Sequence, residues 1–309
     1  MPGITPGLSR GTRRALIAGI VLLGIALGNR SWPPALVAVA VLIGVGRIVY
    51  ARHVNAKALQ TPWPWPADLR SAAEALARPI DPTPRRLLPP HENASLVAQV
   101  ATTDDALARL IADKPAAWPW AVFTSVLLLR RRAVQARLRT LASGYQPRPG
   151  TPLNGQGYTR TVGAAMQTLT EVAEQFGQFM TSPAFKGAFG EDGDEASADA
   201  DADAIVHVAN RLMDYREALL VEAETCIQTP VESDVYVFVQ DTNALVLIPL
   251  VAFDELISTL CARIGQAQEL LPYANGRTIQ LDDVTISPVV PDGLLDRIST
   301  QINRFGASA

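Results

Sequence analysis

Ala15–Gly28 reads ALIAGIVLLGIALG, Asn29–Pro33 reads NRSWP, and Pro34–Tyr50 reads PALVAVAVLIGVGRIVY. Two apolar runs meeting at a short polar elbow are the pattern of a helical hairpin in a membrane. A bilayer core about 30 Å thick takes roughly 20 helical residues, so the first run is short and the second adequate once Trp32 and Tyr50 are included. Apart from Arg30 in the elbow, the only charge is Arg47, one turn from the end of the second run, where its aliphatic stem can reach the headgroups. Gly19, Gly24, Gly28, Gly44 and Gly46 would weaken a helix in water, whereas in lipid small residues let helices approach closely. Trp32 and Tyr50 bracket the second run as interfacial aromatics do.

Two other readings compete for the same residues. Arg13-Arg14, Leu16–Leu27 and Ala26-Leu27-Gly28 also have the order of a signal peptide with a small-residue cleavage site, which would leave the second run as a lone anchor. A hairpin buried in a soluble core is disfavoured, because nothing nearby looks able to cover two helices that lack a polar face.

Charge supplies an orientation. The chain has 309 residues and a net charge of −3, yet no Asp or Glu precedes Asp68, while Arg10, Arg13, Arg14, Arg30, Arg47, Arg52 and Lys57 all do. Cations before and after the hairpin put both of its ends on the cytoplasmic side. The lack of a global basic excess argues against a nucleic-acid partner. Cys226 and Cys261 have no metal-binding spacing and read as reduced, buried thiols, which fits the cytosol better than a secreted location.

Beyond the hairpin, residues 58–90 read as a stiff proline-rich linker (Pro62, Pro64, Pro66, Pro79, Pro82, Pro84, Pro89, Pro90), interrupted by one short helix over 67–78 with Asp68 and Glu74 in solvent. A folded domain follows over 91–309. Thr103-Asp104-Asp105 caps a helix over 106–113. The most apolar soluble stretch, 116–129, runs into Arg130-Arg131-Arg132 and predicts a central helix to about 143; fourteen residues are too few to span a bilayer. Its C-terminal half emerges into water, with Arg137 and Arg139 outward. Helices are predicted over 159–181 and 203–226, the latter amphipathic, with His207, Arg211 and Asp214 as a solvated line. Between them, 187–203 alternates acids with small residues and is expected to be mobile. Residues 231–249 fit either two strands or a helix broken at Pro249, and a helical neighbourhood favours the helix. Leu250–Leu271 continues as helix, Thr278–Ser287 reads as a β-hairpin turning at Asp282-Asp283, and a last helix reaches Phe305.

No ordinary catalytic or metal motif appears. His53, His91 and His207 are the only histidines, and His91-Glu92 lacks the second histidine of a zinc-protease helix. There is no phosphate loop and no GxSxG elbow, and Gly155-Gln156-Gly157 follows no strand. Glu171, Glu174, Glu222 and Glu224 read as helix surface. The sequence therefore names no catalytic, cofactor-binding or metal-ligating residue and no cofactor. The expected fold is mainly α: a two-helix transmembrane hairpin (1–57), then a mostly α-helical soluble domain with a small C-terminal β-hairpin. The expected function is a multi-pass protein of the inner or plasma membrane, embedded through residues 15–50, whose cytoplasmic bulk contacts other proteins or further copies of itself. Two alternatives stand beside it: an oligomerising pore-forming effector gated by the soluble domain, and a membrane-bound enzyme whose site follows no motif.

Overall fold

Every residue from Ile205 to Glu217 is buried, and the helix that carries them is the axis of the fold. The computed structural model describes residues 67–78, 96–113, 117–142, 145, 147–274, 278–281 and 288–306, all within one compact unit that spans 62–309. The apolar runs at 15–50, the signal-peptide alternative and most of the proline-rich linker lie outside the described residues.

The architecture is mainly helical with one small two-stranded antiparallel sheet. In chain order the elements are α1 (Ala67–Leu76), α2 (Leu96–Ala101), α3 (Asp105–Asp113), α4 (Trp118–Ala142), α5 (Gly155–Met180), α6 (Pro183–Phe189), β1 (Glu195–Ser197), α7 (Ala202–Gln228), α8 (Tyr236–Leu270), β2 (Thr278–Gln280) and α9 (Leu294–Gly306). The buried axis is α7, surrounded by α4, α8, α5 and α6. A helix covered on all sides loses its amphipathic pattern, and α7 was expected to keep one solvated face. On the outside, α1 packs on α4 and α3, while α9 closes over α8 and α5.

Local chemistry sets the helix starts. Asp104 Oδ1 accepts the Leu107 N–H at 2.8 Å, and Asn154 Oδ1 accepts the Gly157 N–H at 2.9 Å. Ser182 caps α6 through the Phe185 N–H, with Pro183 at its first position. The Asn154 cap starts α5 four residues before the expected Thr159, so the glycines at 155 and 157 form its first turn rather than a loop. Gly155 is required there: a Cβ would lie 1.9 Å from the Phe305 ring of α9. Phe305 also stacks on Phe238, and with Tyr158, Val235 and Ile298 they form a second, smaller core.

Four expectations are corrected. First, α1 does more than interrupt a linker, although Glu74 is exposed as expected. Ala72 and Ala73 are fully buried and Leu76 almost so, so α1 belongs to the main core. Second, Pro249 does not break the helix; α8 runs unbroken for 35 residues with Pro249 inside it. The missing proline N–H leaves one helical hydrogen bond unmade, a local cost that burial along the rest of α8 outweighs. Third, Thr278–Gln280 has a partner outside the expected hairpin: it pairs with Glu195–Ser197, in the register Glu195 to Gln280, Ala196 to Ile279 and Ser197 to Thr278. Residues 282–287, the other half of the expected hairpin, are outside the described residues. Fourth, the acidic stretch is held in place there. Alternation of acid and small residue is itself a strand pattern, and it buries Ala196 while its acidic neighbour Glu195 stays partly exposed. Trp120 Nε1 donates to the Ser197 carbonyl at 2.6 Å, and the Leu281 N–H donates to the Asp194 carbonyl at 2.6 Å.

Among the described residues one helical stretch, Ser233–Tyr273, is long and apolar enough to cross a membrane. That property rests on length and composition alone, and the core helix of a soluble protein shares it. Here α8 lies against α7 and α4 along one side.

Candidate functional site

The centre of the helical unit is charged. Where α4 crosses α7, Arg130 and Arg131 are 4% and 2% exposed, less than the leucines at 128 and 129 that precede them. The expectation that this arginine cluster marks the emergence of the helix into water is thus corrected. Further charged side chains are buried on α7 and α8, among them Asp214, Arg216, Glu217, Glu224 and Asp254, and the ion pairs form two groups.

In the first group, Arg130 Nη1 lies 3.0 Å from Asp214 Oδ1, and Nη2 lies 3.1 Å from Glu217 Oε2. The same Nη1 donates to the Asn210 carbonyl at 2.8 Å. Arg78, two residues past α1, adds a second guanidinium to Asp214 at 2.6 Å. Further along, Arg137 Nε donates to Glu224 Oε1 at 2.9 Å. Arg137, expected to point outward, is therefore half-buried on α7, and Glu224, expected on the surface, is buried beneath it.

In the second group, Asp254 of α8 receives two parallel bonds from Arg131, Nε to Oδ1 and Nη2 to Oδ2, both at 3.0 Å. Arg216 of α7, with no exposed surface, donates to Oδ1 of the same carboxylate, and Gln135 Nε2 reaches Oδ2 at 3.4 Å. Bidentate guanidinium–carboxylate pairing fixes orientation as well as distance. Burial lowers Arg216 to about 10, with Asp254 opposing that shift and Arg131 adding to it. The side chain is still a cation at neutral pH.

The predicted polar line His207, Arg211 and Asp214 is buried rather than solvated. Its members do not act together. Asp214 belongs to the first ion-pair group, Arg211 lies over the Tyr215 ring at 4.9 Å, and His207 sits edge-on to Phe179. Arg211 Nε and Nη1 are buried without a hydrogen bond among the described residues. Glu171 and Glu174 are exposed as expected, and burial raises the carboxyl of half-buried Glu222 above its ordinary range. Cys226 is buried, Cys261 half-buried, and neither forms a disulfide. His53 and His91 lie outside the described residues. Among the described residues no group of three or more His, Cys, Asp and Glu side chains is placed to hold a metal ion.

A guanidinium that is charged at neutral pH donates hydrogen bonds but cannot accept a proton, and these carboxylates already receive donors from arginine. The arrangement can clamp three helices in one register. No protein-family model, curated protein or solved structure matches this chain.

Proposed function

We propose that the protein is a membrane-anchored scaffold. Residues 15–50 form two spanning helices in the inner or plasma membrane, and the helical unit faces the cytoplasm and contacts protein partners or further copies of the chain. The observation that carries the reading is the closure of the charged centre. Arg130, Arg131 and Arg216 are committed to Asp214, Glu217 and Asp254 inside the helix packing, as a rigid body that presents surfaces requires. The positively charged flanks of the apolar runs support the orientation. Fractionation tests the anchor. Full-length protein should sediment with membranes and resist carbonate extraction, and a version lacking residues 1–57 should be soluble; both forms in the soluble fraction would refute the proposal.

A second reading has its own observation. The stretch Ser233–Tyr273 is long and apolar enough to insert, which favours a pore-forming effector. Dye release from liposomes by the full-length protein would support this reading, and intact liposomes would set it aside.

A further inference from the structure

We draw no further inference here: the strongest candidate, the buried Arg211 guanidinium that lies over the Tyr215 ring on α7 and whose Nε and Nη1 would suit a small oxyanion, carries nothing, because the packing around both nitrogens leaves no room for a ligand.

Discussion

Replacing Asp254 by Asn changes one oxygen to nitrogen at constant volume, yet it removes the carboxylate that Arg131 and Arg216 share. Both guanidiniums are essentially without exposed surface, so water cannot take over. The amide still offers one acceptor, but its NH2 group then faces a donor. Taking one partner from a buried ion pair costs about 3–5 kcal/mol. For a unit of this size each kcal/mol lowers Tm by about 2–4 °C, so the loss should be roughly 6–20 °C, with the retained acceptor favouring the lower half. Thermal melts of the full chain in detergent, followed by circular dichroism, measure it. A companion variant sharpens the test: Arg131→Met, Arg216→Leu and Asp254→Leu together replace the ionic cluster by apolar side chains and should recover most of the loss. A Tm for Asp254→Asn within about 2 °C of the wild type would refute the idea of a dry, closed centre.

Two further predictions concern Gly155 and Cys226. Gly155→Ala places a methyl inside the Phe305 ring contact and should cost roughly 1–3 kcal/mol, with exchange of α9 amides rising before those of α7. Burial, reinforced by Glu222, pushes the Cys226 thiol up to about 12, so at pH 8 its thiolate is roughly a thousandfold scarcer than that of an ordinary thiol. In a Cys261→Ser background, alkylation should accordingly be negligible until urea unfolds the chain; rapid labelling of the folded protein would contradict this burial.

Much of the helical layout was legible because its signals are local. The Asp104 cap, the apolar run before Arg130 and the pattern ending at Phe305 each lie within one element. The charged centre was not legible in the same way, since every bond in it joins residues tens to more than a hundred positions apart. An arginine triplet at the end of an apolar run looks like a boundary with water whether or not carboxylates wait on another helix. One signal did point inward. From Thr242 to Phe253 no charge occurs, and then Asp254 appears in the same helix. An acid in so apolar a setting needs a partner, and the arginines of 116–143 were the candidates. The strand pairing failed to show for a related reason. Adjacent runs at 278–281 and 284–287 satisfy a hairpin pattern, while β1, with which Thr278–Gln280 pairs, sits more than eighty positions upstream in a stretch whose acidity argued for disorder. Residue 249 misled because proline is costly in a helix interior in isolation, and long-range burial decides whether that cost is tolerated.

The shared carboxylate of Asp254 also has a consequence for the order in which the protein is made. It leaves the ribosome 123 positions after Arg131, and Arg216 leaves between them. Until α8 has been synthesised, the nascent α4 and α7 carry cations destined for the interior whose counter-ion does not yet exist. Closure of the bundle around α7 must therefore wait for the chain to pass Asp254. A stalled or truncated product ending before that point exposes apolar surface beside unmatched arginines, which marks it for chaperones and proteases.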